Sequence, residues 1–263
     1  MIELIKRVLI SVIAIPLLLF IYYYGQIPLI IFLILLSLIS SYELSKMLKN
    51  KSLYLMASVI PFAALMCYMS AKYDLKYSLY LLFFTLALFG AEEIFRNRIE
   101  NAIYRVSSSL MIMVYCGISL GFVYRLHGLE NGNYLLPFIA ILIWITDTFA
   151  YFIGVWLGRH RNIFNVSPKK SIEGFIGGFV FAVLFATIAH FIVPNKISLF
   201  WALLMGIVIG TIGQFGDLFE SLIKRDCGVK DSSNLIPGHG GILDRFDSFM
   251  IAVPVIYILY SVL

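Results

Sequence analysis

The sequence predicts an all-α, polytopic integral membrane protein. Apolar residues fill 61% of its 263 positions and charged residues only 13%, against roughly 45–50% and about 25% in a soluble domain. The apolar residues gather into nine runs of about the length needed to cross a bilayer. The loops between runs alternate between rich and poor in lysine and arginine, as the positive-inside rule requires. The same composition excludes disorder, which needs low hydrophobicity and high charge. It also excludes a collagen-like chain and a disulfide scaffold, because glycine has no triplet period and there are only three cysteines.

In chain order, the runs cover residues 5–24, 27–45, 53–71, 77–94, 106–125, 134–157, 172–194, 197–222 and 246–263. The second and last are short for a span. Nine spans with the N-terminus inside and the C-terminus outside put sixteen of the twenty basic residues on the inner side. The inner set runs from Lys6 and Arg7, through Lys46, Lys49, Lys51, Arg96, Arg98 and Arg105, to Arg159, Arg161, Lys169, Lys170, Lys224, Arg225, Lys230 and Arg245. Only Lys72, Lys76, Arg125 and Lys196 fall outside. A missed or invented span would scramble that split. The first run follows Lys6 and Arg7 as a signal peptide would, but Tyr22-Tyr23-Tyr24-Gly25-Gln26 offers no small-residue cleavage site, so it reads as a retained helix. Cys67 and Cys116 fall inside spans and Cys227 in a loop, with no metal-type spacing among them.

The chain divides by character. Residues 1–130 form a hydrophobic helical scaffold of about five spans. Its cluster Glu92, Glu93, Arg96, Arg98 and Glu100 reads as a solvated helix end with close ion pairs. No P-loop, Gly-x-Ser-x-Gly or zinc spacing occurs there. Residues 131–263 form a catalytic membrane region of about four spans, with cytoplasmic loops at 158–171 and 223–245. Here polar residues enter the spans. Asp147 sits within the sixth run, where a carboxylate costs roughly 2.5–3.5 kcal/mol on insertion scales and demands a partner or a wet cavity. Lys169 and Lys170, at the entry to the seventh run, are the cations expected to partner it. Ser171 is suited to cap that helix, with Glu173 in its first turn. Gly174 and Gly178 are spaced for close helix contact.

The eighth run carries Gly206, Gly210, Gly213 and Gly216, then Asp217, Glu220, Ser221 and Lys224 at i, i+3, i+4 and i+7. That spacing draws one stripe on a helix. A long loop holds Pro237-Gly238-His239-Gly240-Gly241, whose backbone N–H groups suit an anion. Asp244, Asp247 and Ser248 then share a face at the start of the ninth run. Two helix ends therefore bring Asp217, Glu220, Asp244 and Asp247 to one inner surface, within reach of Lys224, Arg225, Lys230 and Arg245. Carboxylates among basic residues fit Mg²⁺ together with phosphate oxygens.

The run from Ser221 to Asp247 resembles the signature of the phosphatidate cytidylyltransferases, also called CDP-diacylglycerol synthases. Ser221, Lys224-Arg225, Lys230-Asp231, Pro237, His239-Gly240-Gly241, Asp244-Arg245 and Asp247 carry the likeness. Asp147 to Tyr151 with Gly154, and Pro168 to Ser171 with Glu173-Gly174, agree with it. Ile172 stands where the family often has tryptophan. The likeness covers about residues 144–250, and the first five spans match only as hydrophobic helices.

The resemblance implies Mg²⁺-dependent transfer of a cytidylyl group from CTP to phosphatidic acid, giving CDP-diacylglycerol and pyrophosphate, at the cytoplasmic face of the inner membrane. Under that reading Asp217 and Asp244 are the chief metal ligands, with Asp247 and Glu220 as further ones and room for a second cation. Lys224, Arg225, Lys230 and Arg245 bind phosphate. The loop with His239, Gly240 and Gly241 covers the CTP phosphates, and Ser221, Lys169, Lys170 and Asp147 complete the substrate cavity. The partners are CTP, phosphatidic acid and membrane lipid, without nucleic acid, and a homodimer is compatible with the sequence. An ion-coupled transporter would also use an acid such as Asp147, but its site would lie near the midplane between two related halves. Another lipid-phosphate transferase, of the CDP-alcohol phosphotransferase type, would need an Asp-Gly step that the chain lacks.

Overall fold

A computed structural model describes residues 2–193, 195–236, 238 and 240–263, with side chains from Ser11 onward. Among the described residues the fold is all-helical and without strands, and helices stand at all nine expected places. They are α1 (Ile2–Tyr24), α2 (Gln26–Lys49), α3 (Val59–Lys72), α4 (Leu75–Phe95), α5 (Ala102–His127), α6 (Gly132–Trp156), α7 (Ile172–Ile192), α8 (Leu199–Asp226) and α9 (Leu243–Val262). Seven of these, α2 and α4 to α9, are long and apolar enough to cross a membrane. The protein is a polytopic integral membrane protein. The apolar stretch of α1 from Ser11 to Tyr24, and α3, are shorter.

Local chemistry sets the helix ends. Gly25, at φ +68°, separates α1 from α2, and a Cβ there would overlap the ring of His127. Ser171 caps α7 from the Gly174 N–H at 3.1 Å, as the sequence predicts, and Asp74 caps α4 by accepting from the Lys76 N–H at 3.1 Å. The Asp74 carboxyl is held below the usual carboxylate range, chiefly by that backbone N–H. Two helices contain a π turn, α5 over Met113–Ile118 and α8 over Ile209–Gly213. Such turns displace the side chains that follow them and often mark functional positions.

Helices α8 and α9 overrun their apolar runs. α8 continues to Asp226 and α9 begins at Leu243, so the loop predicted over 223–245 shrinks to 227–242. Hydropathy marks where the chain leaves lipid, whereas a helix persists while its polar side chains find partners, as Glu220 and Lys224 do one turn apart.

Glycine sets the packing of the second half. A Cβ at Gly174 would come 2.7 Å from Ala150 O of α6. One at Gly210 would come 2.9 Å from Phe179 Cα of α7, and one at Gly216 would come 3.0 Å from Ser248 Cα of α9. Without Cβ atoms these backbones approach closely, which is how helices gain contact where no water drives them together. One hydrophobic core joins both halves, from Tyr22 and Leu29 through Met66 and Ile112 to Val253 and Ile256. The outer faces carry exposed apolar residues such as Leu79, Phe83, Ile176, Val180 and Leu184, as lipid-facing surfaces do.

Candidate active site

The helical period aligns Asp217, Glu220, Ser221 and Lys224 along α8. The absence of a side chain at Gly216 lets the start of α9 lie against that stripe. The buried Lys224 ammonium is the junction. It donates to Glu220 Oε2 at 2.6 Å and to Asp244 Oδ1 at 2.6 Å. Asp244 Oδ2 accepts from the Ser232 N–H at 3.0 Å, the Ser232 hydroxyl at 3.0 Å and the Gly241 N–H at 2.8 Å. Asp244 therefore ties Ser232, inside the loop between α8 and α9, to Gly241 near the loop's end. Lys170, entering from the loop before α7, donates to Asp217 Oδ2 at 2.5 Å, and the Ser221 hydroxyl stands 3.5 Å from Asp217 Oδ1. Asp247 accepts from the Ser248 N–H at 2.6 Å.

This cluster ends a cavity of about 540 Å³ between α1, α2, α6 and α9. Leu17, Leu18, Ile21, Phe32, Ile143 and Phe249 line its apolar part, and Asp147, Asp244, Arg245 and Asp247 its polar end. The site is thus amphiphilic by construction.

The residues singled out from sequence fall into three groups. Asp217, Glu220, Ser221, Lys224, Asp244, Asp247 and Lys170 come together, with Asp147 and Arg245 on the adjoining cavity wall. Lys170 pairs with Asp217, however, and not with Asp147, because the loop before α7 runs toward α8. Arg225, Lys169 and Lys230 are not brought into the cluster. Arg225 donates to Val166 O at 3.2 Å and Val229 O at 3.0 Å, tying together the two loops expected on the inner side, while Lys169 and Lys230 are exposed. Gly240 and Gly241 border Asp244. Gly240 has φ +83°, and a Cβ on it would stand 2.8 Å from Asp244 Oδ2. His239 and Pro237 lie outside the described residues.

Three buried groups had no place in the sequence reading. Ser232 bridges to Asp244. Tyr115, in the π turn of α5, lies buried near Asp247, Glu220 and Asp217 with its hydroxyl unpaired. Glu43 of α2, 1% exposed, reaches the α8–α9 loop. The available signal was a lone acid or hydroxyl in an otherwise apolar run.

Among the described residues no three carboxylate, imidazole or thiol groups converge as a ready metal cage. The donor chemistry nonetheless suits a hard divalent cation. Four carboxylates face two ammonium groups, a formal excess of two negative charges, and Asp147 and Arg245 add one of each sign. Glu220 Oε1 is buried with no hydrogen-bond partner. A buried carboxylate oxygen left so costs several kcal/mol unless a cation or proton reaches it.

Residues 5–263 match the family model described as the cytidylyltransferase family. A phosphatidate cytidylyltransferase of Bacillus subtilis is 32% identical over 266 aligned residues, covering 99% of each chain. Proteins of the same name from Staphylococcus haemolyticus and Staphylococcus saprophyticus are 43% and 42% identical over 150 residues. Those alignments span 57% of this chain and 57%, a little over half, of each relative. With a family model matched along nearly its whole length, the chain belongs to the cytidylyltransferase family.

Proposed function

We propose that the protein transfers a cytidylyl group from CTP to phosphatidic acid, giving CDP-diacylglycerol and pyrophosphate. The observation that carries this reading is the cavity that is apolar along α1, α2 and α6 and ends on Asp147, Asp244, Arg245 and Asp247, the last two acids shared with the charged cluster of α8 and α9. One substrate is a lipid and the other a soluble polyanion, and only a site at the membrane boundary admits both. The names of the aligned relatives support the same reaction.

In that reaction an oxygen of the lipid phosphate bonds to the α-phosphorus of CTP, and the bond from the α-phosphorus to the bridging oxygen breaks, releasing pyrophosphate. The nucleophile is already an anion, so no strong base is needed. The chain's work is to align two polyanions and offset their repulsion, the positioning and electrostatic terms that dominate phosphoryl-type transfers. Lys170, Lys224 and Arg245 supply positive charge at the polar end of the cavity. The apolar walls hold the acyl chains and so place the lipid phosphate beside Asp147 and Arg245. Asp217, Asp247 and Glu220 would hold Mg²⁺, joined by Asp244 once Lys224 releases its Oδ1. When bound, the ion would neutralise charge on the triphosphate and on the departing pyrophosphate. The site faces the cytoplasm of a prokaryotic cell from its inner membrane, with Leu263 on the far side.

The test is to incubate purified protein with labelled CTP, phosphatidic acid in mixed micelles and Mg²⁺. The expected result is a lipid-soluble cytidine product and pyrophosphate in equal amounts, made without any ion gradient. No such product, or solute movement that needs a gradient, overturns the reading. For orientation, a reporter active only outside the cytoplasm should be active after Leu263 and silent at Lys230.

A further inference from the structure

We infer that Glu43, in the first half of the chain, is a positioning residue for the nucleotide-side loop of the site. Its role rests on the nucleotidyl-transfer reading above. Glu43 lies in α2, and its carboxylate crosses to the loop between α8 and α9. Oε1 accepts from the Ser233 hydroxyl at 2.5 Å and the Ile242 N–H at 3.0 Å. Oε2 accepts from the Ser232 hydroxyl at 3.0 Å and the Leu243 N–H at 2.8 Å. Four neutral donors converge on one buried carboxylate, and among the described residues no lysine or arginine pairs with it. Such an arrangement fixes the carboxylate and the position of every donor.

Three consequences join Glu43 to the site. First, the N–H groups of Ile242 and Leu243 open α9, so Glu43 caps this helix from a different helix and the negative charge sits at its positive end. One residue beyond lies Asp244. Second, the Ser232 hydroxyl is 3.0 Å from both Glu43 Oε2 and Asp244 Oδ2 and has one proton to give. The two acids therefore share one donor, and moving either moves the other. Third, a Cβ at Gly241 would run into the Ser232 hydroxyl and stand 2.7 Å from Glu43 Oε1 and 2.8 Å from Oε2. The glycine of the signature is bare where Glu43 presses on it. Glu43 thus ties residues 232–233 of the loop to the start of α9 at 242–243, and through them sets the direction in which Asp244 meets Lys224.

The test is Glu43→Gln, which keeps the shape and replaces one acceptor oxygen with a donor. Positioning predicts a protein that still folds in detergent but whose kcat/KM for CTP falls on the order of 10²-fold, the cost of a misplacement of about 1 Å. KM for phosphatidic acid should barely change, because the acyl cavity is untouched. Glu43→Asp should recover part of the loss, and the amides of Ile242 and Leu243 should exchange hydrogen faster in Glu43→Gln. A purely structural residue would instead lower activity only in proportion to the folded fraction, at unchanged KM for CTP. That result, or unchanged exchange at 242–243, overturns the inference. Should Glu43→Gln fail to fold, Ser233→Ala removes one donor of the same clamp and must raise KM for CTP, and an unchanged KM refutes it. If the wild-type protein makes no cytidine lipid, the nucleotidyl-transfer reading fails. Amide exchange at 242–243 in Glu43→Gln still decides whether Glu43 holds the loop.

Discussion

Two charge clusters, one in each half of the molecule, use the same residue types to different ends. Between α4 and α5, Glu93 accepts from Arg98 at 2.9 Å on one oxygen and from Arg105 at 2.8 and 2.5 Å on the other, while Arg105 also donates to Arg98 O. Both oxygens are taken, and cations outnumber the acid. Between α8 and α9, acids outnumber cations, Glu220 Oε1 has no partner, and the cluster opens on a cavity. The first locks both oxygens of its acid, though Arg98 Nε is buried without a partner and Glu93 and Arg98 line an apolar pocket of about 510 Å³. The second has charge left over, and leftover buried charge is what a substrate or metal site keeps in reserve.

The largest expected effect comes from removing reserve charge. Asp217→Asn and Asp247→Asn keep shape and take one negative charge each. Each should lower turnover at least on the order of 10³-fold at ordinary Mg²⁺, the scale of losing a direct electrostatic contact in a transition state. Titrating Mg²⁺ in the activity assay checks it, since a metal ligand should show partial recovery at high concentration. Normal activity in both variants would erase the difference between the clusters.

Next in size is Lys224→Met. It strips the buried cation from Glu220 and Asp244 together, and breaking one partner of a buried pair costs about 3–5 kcal/mol. Activity and thermal stability in detergent should both collapse. Glu93→Gln sharpens the contrast. Its side chain is buried and both its oxygens are bonded, so stability should fall by a similar order, about 2–4 kcal/mol. The protein that remains folded should show unchanged kcat and KM. A changed KM for CTP would mean that the lock reaches the site after all.

The sequence made one cluster legible and misread the other. Asp217, Glu220 and Lys224 stand out because helical spacing alone puts them on one stripe, and Asp244 with Asp247 because they open a helix after a glycine turn. The nine helices among the described residues were legible too, since hydropathy and loop charge vote independently. Glu93 was expected to be solvated because it lies among charged neighbours, yet it is 5% exposed. Arg105, twelve residues on, returns over it, and no local pattern encodes that fold-back. Glu43 was overlooked for the same reason. Its donors lie about 190–200 residues away in the chain, and a single acid near the end of an apolar run looks like the helix meeting water. Side-chain direction misleads as well. Lys170 is expected to partner Asp147 but bonds Asp217, since the loop before α7 turns toward α8.

The smallest effect tests the surface that joins the two halves. Lys51, just after α2, pairs with Asp226 at the end of α8 at 2.5 Å, with side chains 40% and 61% exposed. The bonded Asp226 carboxylate holds the Lys51 ammonium above its usual range. A raised cation contributes below its ordinary pKa and loses that contribution only as pH climbs through the raised value, so the pair should be fully present from pH 6 to 9. Water and salt nevertheless screen so exposed a pair, and ordering two long side chains offsets most of the attraction. Lys51→Ala should therefore leave turnover unchanged and lower the melting temperature only slightly, by an amount that is flat across that pH range and vanishes as salt is added. Melting curves at low and high ionic strength check this. A large loss that persists in salt would show that this contact, and not only the Glu43 clamp, ties the first half of the chain to the site.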